Sequence, residues 1–314
     1  MTLNSRAGSS PALGTTNNTL YMTKPLYTCF ATLCQELASS GQTEAQAEAW
    51  HILTHVTGAN RTALLTQWRE TLSRGTQRQL ASILRQRKTG MPLAYILGKW
   101  WFCGHLIAIH KGVLIPRPET ELLVSVAQTF IQKDTHIFEL GVGSGAIPMA
   151  LAMTQNIHYD GWDVSKRAII NAQENLAAYG QSQIRLHHQS FFAKTAYWRK
   201  SRHASGHILF VSNPPYIPPE DMSGLQAEVH YEPKKALVGG YAGLSFYKRL
   251  FTQCLRQSTP CHMVVEVGIS QSGPLSALLE KYPNYAHTWH VDLADIPRVL
   301  AIFPTESITP LPHK

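Results

Sequence analysis

The chain has 314 residues, room for two domains of ordinary size, and 44% hydrophobic against 15% charged residues is a globular composition that excludes a disordered chain. The formal net charge is +8, and no stretch approaches the roughly 18 apolar residues of a membrane-spanning helix, so no membrane partner is expected. The first 20 residues carry one Arg and no continuous apolar run, which does not read as a secretory signal. Five cysteines (Cys29, Cys34, Cys103, Cys254 and Cys261) without a C-x-x-C spacing exclude a disulfide scaffold and a zinc ribbon, and they suit a reducing cytoplasm. The positive charge is uneven: residues up to Lys111 carry a net +7 and those from 116 onward a net +1. A basic N-terminal part fits a solvated helical surface, or one facing an acidic protein, a ribosome or nucleic acid.

In chain order, residues 1–22 are small and polar and predict a loose tail. Leu26, Phe30, Leu33 and Leu37 recur on one helical face, with Gly41 as a stop. Thr43-Glu44-Ala45-Gln46 predicts a capping box opening a helix through Ala49, Trp50, Leu53 and Val56, stopped by Gly58. Thr76-Gln77-Arg78-Gln79 predicts a second box before Leu80, Ile83 and Leu84, with Arg85, Arg87 and Lys88 near the negative end of that helix. Residues 23–90 are therefore expected to form a helical domain. Residues 91–115 are rich in aromatic and branched side chains, with turn glycines at Gly98, Gly104 and Gly112, and predict a β-hairpin linker.

From residue 116 to 305 strands and helices alternate. Strands are expected at His136–Leu140, Tyr159–Val164, Ile184–His188, Ile208–Ser212 and Met263–Val267. Helices are expected at Glu119–Phe130, Gly145–Met153, Ser165–Tyr179, Ser245–Leu255 and Gln271–Lys281, and 306–314 form a short tail. Such alternation predicts an α/β fold, a Rossmann-like, doubly wound and mostly parallel sheet, with ligands at the carboxyl ends of its strands.

Two motifs stand at such ends. Glu139-Leu140-Gly141-Val142-Gly143-Ser144-Gly145 supplies three glycines for a tight turn and close backbone approach to a ligand. It misses the dinucleotide fingerprint by one position and has no phosphate-loop Lys. Asp163 lies 18 residues beyond Gly145 at the end of the next strand, where a carboxylate accepts both ribose hydroxyls. The second motif is Asn213-Pro214-Pro215-Tyr216. Its two prolines make a stiff platform with free carbonyls, Asn213 adds an acceptor and Tyr216 a flat face, a set suited to a planar –NH₂ group. His187 and His188 would point to opposite faces of a strand, and His203 with His207 flank a Ser-Gly loop, so no metal site is expected.

Together these motifs resemble the S-adenosylmethionine-dependent methyltransferases of amide and exocyclic amine nitrogens. Pro92-Leu93-Ala94-Tyr95-Ile96-Leu97-Gly98, Leu114-Ile115-Pro116-Arg117-Pro118-Glu119-Thr120-Glu121, and the block from Glu228 through Tyr231-Glu232-Pro233 to Ala236-Leu237 narrow the likeness. Their order, with the helical domain ahead of them, is similar to the release-factor glutamine N5-methyltransferase family over about residues 40–303. The resemblance implies a methyltransferase of the glutamine in the Gly-Gly-Gln loop of peptide-chain release factors, with S-adenosyl-L-methionine as cofactor and 23–90 recognising the substrate. It implies that Glu139, Gly141, Val142, Gly143, Ser144, Gly145, Asp163, Phe191 and Asn213 surround the cofactor. Asn213, Pro214 and Tyr216 would be catalytic, with Pro215 and Arg117 beside the substrate, and Arg117 and Glu119 bracing the linker against the catalytic domain. The same Asn-Pro-Pro-Tyr motif also serves methylation of a ribosomal-protein glutamine or of adenine, and a non-catalytic binding module is the remaining alternative. The chain departs from the family pattern at Gln189-Ser190, which lacks the acidic partner for the adenine amine, at Val142, and at Thr259-Pro260-Cys261-His262.

Overall fold

A computed structural model describes residues 25–153, 157–193, 207–257 and 259–305, so both expected tails and His203 lie outside the described residues. The chain divides into two units, residues 1–89 and 90–314.

The first unit is helical: α1 (Leu26–Ser39), α2 (Ala45–Thr57), α3 (Arg61–Thr66) and α4 (Arg74–Lys88). Leu26, Cys29, Leu33 and Leu37 of α1 are buried with Ala49, Ile52 and Leu53 of α2 and Leu80, Ile83 and Leu84 of α4. The apolar periodicity thus closes one small core. Neither predicted capping box forms. The α2 helix starts after Glu44, which makes no side-chain cap. The α4 helix starts earlier than expected because Ser73 takes the cap, its Oγ accepting from Thr76 N at 3.1 Å. The short α3 escapes the apolar pattern; it is held by Asn60, whose Oδ1 accepts from Ala63 N at 2.8 Å. Arg87 is buried and donates to both oxygens of Glu48, at 2.8 and 2.7 Å, a bidentate pair that satisfies the guanidinium inside the core.

The second unit opens with α5 (Leu93–Leu97), which corrects the expectation of β structure from Leu93. Pro92 sets its entry and Gly98, at φ 70°, its left-handed exit. The hairpin itself is β1 (Lys99–Phe102) paired antiparallel with β2 (His105–Ala108). It sits on α8 (Lys166–Ala178) through Asn175 and Asn171, whose Oδ1 atoms accept from Ala108 N at 2.7 Å and His110 N at 2.9 Å.

Behind these lies a seven-stranded sheet built from β3 (His136–Leu140), β4 (His158–Asp163), β5 (Arg185–His188), β6 (Ile208–Ser212), β7 (His262–Glu266), β8 (Tyr285–Val291) and β9 (Pro297–Pro304). The order is β5-β4-β3-β6-β7-β9-β8, parallel through β7 and antiparallel at β9 and β8. The order reverses between β3 and β6, so the loops after these two strands flank the crevice where doubly wound sheets bind ligands. Two apolar layers cover the sheet. One includes Ile137, Leu209 and Val264 beneath α6 (Pro118–Thr129) and α7 (Ala146–Ala152). The other includes Phe138, Phe210 and Met263 beneath the helices Ser245–Cys254 and Ser272–Leu279. Residue alternation along each strand feeds both layers. No helix among the described residues is long and apolar enough to cross a membrane.

Candidate methyl-transfer site

The loop after β3 turns on Gly141, Gly143 and Gly145, at φ 82°, 57° and 80°, conformations that glycine adopts without steric cost. Gly145 is fixed for a second reason: a Cβ there would stand 2.9 Å from Ala172 of α8. Asp163, at the end of β4, reaches under this loop. Its Oδ2 accepts from Gly143 N at 3.0 Å and its Oδ1 from Ser165 N at 2.7 Å, leaving each oxygen a second lone pair. Burial pushes its carboxyl up, and the two backbone donors partly offset that.

A cavity of about 390 Å³ opens above the strand ends. Gly141, Gly143, Asp163, Phe191, Asn213 and Pro215 line it, and so do Gln189 and Ser190. Phe191 stands edge-on to Trp162 with ring centroids 5.4 Å apart, so its face is held by packing. Glu139, Val142, Ser144 and Gly145 are not part of the cavity lining: Glu139, Val142 and Ser144 are buried just behind it, where the resemblance places Glu139, and Gly145 packs on α8. Glu139 accepts from Tyr159 Oη at 2.9 Å through Oε2, while its Oε1 has no partner among the described residues. Burial pushes its carboxyl up to about 8.

A second cavity of about 170 Å³ is lined by Leu114, Arg117, Asn213, Tyr216, Leu225 and Val229, among others. Asn213 lines both cavities and therefore stands where they meet. Its Nδ2 donates to Thr120 Oγ1 at 3.0 Å, and its Oδ1 has no partner among the described residues. Pro214 is buried and lines neither cavity, and its carbonyl accepts no hydrogen bond among the described residues. The loop is clamped from behind. Gln271 Nε2 donates to Tyr216 O at 3.0 Å, Ile217 N donates to Leu237 O at 2.9 Å, and a Cβ on Gly243 would fall 2.0 Å from Tyr216 O.

Arg117 donates to Glu232, which also accepts from Ile115 N at 3.0 Å. Glu119 stands 3.9 Å from Arg298. Arg117 thus ties the residues before α6 to Glu232, whereas Glu119, in the first turn of α6, faces Arg298 of β9. His187 bonds to Asp160 at 2.7 Å and His188 to the Val164 carbonyl at 3.2 Å, so the two rings take separate partners.

Sequence reasoning assigned no role to Thr120, Glu266, Glu232 or Gly243. Glu266 carried a signal, being a carboxylate at the end of an apolar strand in line with the other two motifs. Thr120 lies in the motif at residues 114–121, where no pattern assigns its hydroxyl a partner.

Residues 29–98 match the PrmC N-terminal domain model. A release factor glutamine methyltransferase of Bacillus cereus is 33% identical over 261 residues, covering 80% of this chain and 89% of that protein. The enzyme of the same name from Caulobacter vibrioides is 33% identical over 263 residues, covering 82% and 89%. Among solved structures, the hMettl16 catalytic domain in complex with the MAT2A 3′UTR hairpin 1 aligns with a TM-score of 0.50 at 14% identity, over 73% of this chain and 80% of that one. That likeness is one of fold.

Proposed function

The chain belongs to the release factor glutamine methyltransferase family, and from that membership we propose that it methylates the side-chain amide nitrogen of the glutamine in the Gly-Gly-Gln motif of peptide-chain release factors. The observation that supports this reading most is Asn213, shared by two cavities with its amide oxygen unpartnered among the described residues.

The larger cavity fits S-adenosylmethionine in its donor set: backbone at Gly141 and Gly143, a carboxylate with spare lone pairs at Asp163, and aromatic faces at Phe191 and Phe246. When bound there, S-adenosylmethionine supplies an electrophilic sulfonium methyl group. Asp163 would hold the ribose hydroxyls and Phe191 the adenine. Gln189 and Ser190 offer polar atoms in place of a carboxylate, so the adenine amine would be held by neutral acceptors. Glu139, Val142, Ser144 and Gly145 would shape the loop from behind.

The smaller cavity would take the glutamine side chain. An amide nitrogen is a poor nucleophile because its lone pair is delocalised into the carbonyl. Asn213 Oδ1 would accept one of its hydrogens, fix its direction and favour the positive charge that grows on nitrogen in the transition state. The adjoining Pro214 carbonyl, which has no partner among the described residues but stands behind both linings, would take the other once the amide reaches past Asn213. Tyr216 would form the wall against which the amide plane lies, Pro215 would border it from the side of the larger cavity, and Arg117, which lines the smaller cavity, would be a polar contact for the peptide around the glutamine. An alkylated amide nitrogen is strongly acidic and releases its proton without a tuned base, so His or Glu next to the motif is not required.

The basic helical unit would dock the release factor, leaving the second unit to the chemistry. The test is incubation with methyl-labelled cofactor, a purified release factor, ribosomal proteins and nucleic acid, followed by mass mapping. A single methyl group on the Gly-Gly-Gln glutamine is the expected result. Label on a ribosomal protein or on adenine, with none on the release factor, overturns the reading.

A further inference from the structure

We infer that Thr120 and Glu266 are positioning residues of the transfer site: they decide which end of the Asn213 amide faces the acceptor cavity. The inference rests on the role proposed for Asn213 above.

Asn213, Thr120, Glu266 and Tyr216 form one hydrogen-bonded chain drawn from three parts of the second unit: the loop after β6, α6 and β7. Thr120, in the first turn of α6, donates from Oγ1 to Glu266 Oε2 at 2.7 Å. Tyr216 Oη donates to the other oxygen, Oε1, at 3.2 Å. Asn213 Nδ2 donates to Thr120 Oγ1 at 3.0 Å. Thr120 and Glu266 are 3% and 1% exposed, so water does not compete for these bonds.

A hydroxyl has one proton to give. An ionised Glu266 is an acceptor only and takes that proton, which leaves Thr120 Oγ1 able only to accept on its other side. The Asn213 amide must then present its NH₂ to Thr120 and its oxygen away from it. Oxygen is the end that a substrate –NH₂ requires; an Asn213 turned over would face the substrate amide donor to donor. Without the relay the two ends of the amide are nearly equal in shape, and only hydrogen bonds tell them apart.

The polarity of the relay depends on the charge of Glu266. The groups facing it are Thr120 and Glu119 from α6, Arg298 from β9, Tyr216, and Tyr247 from the helix Ser245–Cys254, whose hydroxyl donates to the Glu266 backbone carbonyl at 2.7 Å. Burial pushes the Glu266 carboxyl up to about 7; the hydroxyls of Thr120 and Tyr216 oppose this, Glu119 adds to it, and Arg298 opposes it. A protonated Glu266 would donate to Thr120 and reverse the chain. The transfer rate is therefore expected to rise with pH through the region near 7.

The experiment measures single-turnover methylation of a release factor from pH 5.5 to 8.5, roughly one and a half units either side of that value, with cofactor affinity and thermal stability measured on every variant. Thr120→Val keeps the shape and loses the relay; it should cut the rate about 100-fold, the scale of a misplaced aimed group, with cofactor affinity little changed. Thr120→Ser restores the hydroxyl and should stay close to wild type. Glu266→Gln preserves the number of hydrogen bonds. With Tyr216 donating to its oxygen, however, its NH₂ points at Thr120 and turns Asn213 over, so the rate should be low and flat with pH. Combining Thr120→Val with Glu266→Gln should add little, because both break one chain. A folded Thr120→Val enzyme at the wild-type rate, a Thr120→Ser variant as impaired as Thr120→Val, or a Glu266→Gln enzyme with the wild-type pH profile overturns the inference and leaves the proposed activity standing. If Thr120→Val does not fold, Thr120→Ala against Thr120→Ser carries the same contrast. A wild-type enzyme that never labels the release factor glutamine removes the proposed activity, and the inference falls with it.

Discussion

At the scale of single residues, the proposed roles separate cofactor binding at Asp163 from transfer at Asn213, and two substitutions test that separation. Asn213→Ala removes the acceptor at the meeting point of the cavities and leaves Asp163 in place. Methyl transfer should fall by about 10²–10³, the usual cost of deleting one aimed polar group, while calorimetry should find cofactor binding largely kept. Near-normal turnover would remove Asn213 from the chemistry. Asp163→Ala has the opposite signature. It deletes the carboxylate whose lone pairs would hold two hydroxyls, each such bond worth about 1.5–3 kcal/mol, so cofactor affinity should drop by at least about a hundredfold. The same change orphans Gly143 N and Ser165 N, which predicts a lower melting temperature as well. Unchanged affinity would sink the assignment. Asn213 and Asp163 were legible in the sequence because chemistry needs their residue types at strand ends. The partners that orient Asn213 were not: Thr120 and Glu266 are 146 residues apart, and no local spacing couples a helix hydroxyl to a strand carboxylate.

At the scale of elements, the parallel strands were the most legible part. His136–Leu140 and Ile208–Ser212 coincide with the expected limits because each is short, rich in branched and aromatic residues and followed by its own turn motif, the glycines from Gly141 and the prolines from Pro214. The antiparallel strand β8 gave no comparable signal: His287, Thr288, Trp289 and His290 leave it half exposed, with neither a buried run nor clean alternation, whereas β9 carries an apolar run, residues 299–303, that the expected strands left out. One feature of β4 carries a pH prediction. Asp160 is fully buried and bonded by His136 at 2.6 Å, Arg185 at 2.6 Å and His187 at 2.7 Å, which join β3, β4 and β5. Burial opposes its ionisation, yet the three donors outweigh it and hold the carboxyl well below the ordinary carboxylate range. A folded pKa below the unfolded one contributes stability that is complete above the unfolded value, near 4, and is lost as pH falls from there toward the folded one. The wild-type melting temperature should therefore drop steeply below about pH 4, and Asp160→Asn should show a shallower acid limb. At neutral pH that variant should lose roughly 1–3 kcal/mol, since a buried neutral amide accepts fewer of these bonds while the partly exposed His136, Arg185 and His187 regain some hydration. Parallel acid limbs for the two proteins would show that the cluster is not what the sheet edge relies on.

At the scale of the whole molecule, charge and chemistry are placed apart. The residues up to Lys111 hold a net +7 of the chain's +8, whereas both transfer motifs lie beyond them. Within α4 the cations divide into two kinds. Arg87 is consumed by Glu48 and Lys88 pairs with Glu36, but Arg74, Arg78 and Arg85 are exposed and make no ion pair among the described residues. Arg78 and Arg85 are seven positions apart on one helical face, so reversing both changes one patch and leaves the α4 core residues Leu80, Ile83 and Leu84 untouched. Exposed charges act over a Debye length, about 10 Å at 0.1 M salt, and influence how fast partners meet more than how tightly they hold. Arg78→Glu with Arg85→Glu should therefore slow association with a release factor by about tenfold at low salt, and the gap should close at about 0.5 M. Cofactor affinity and the single-turnover rate at saturating substrate should stay at wild-type values, because neither cavity is lined by these residues. Stopped-flow association across a salt series reads this directly. Equal association rates for the two proteins at low salt would show that the basic helical face does not steer the substrate, and the docking role of the helical unit would then have to rest on shape alone.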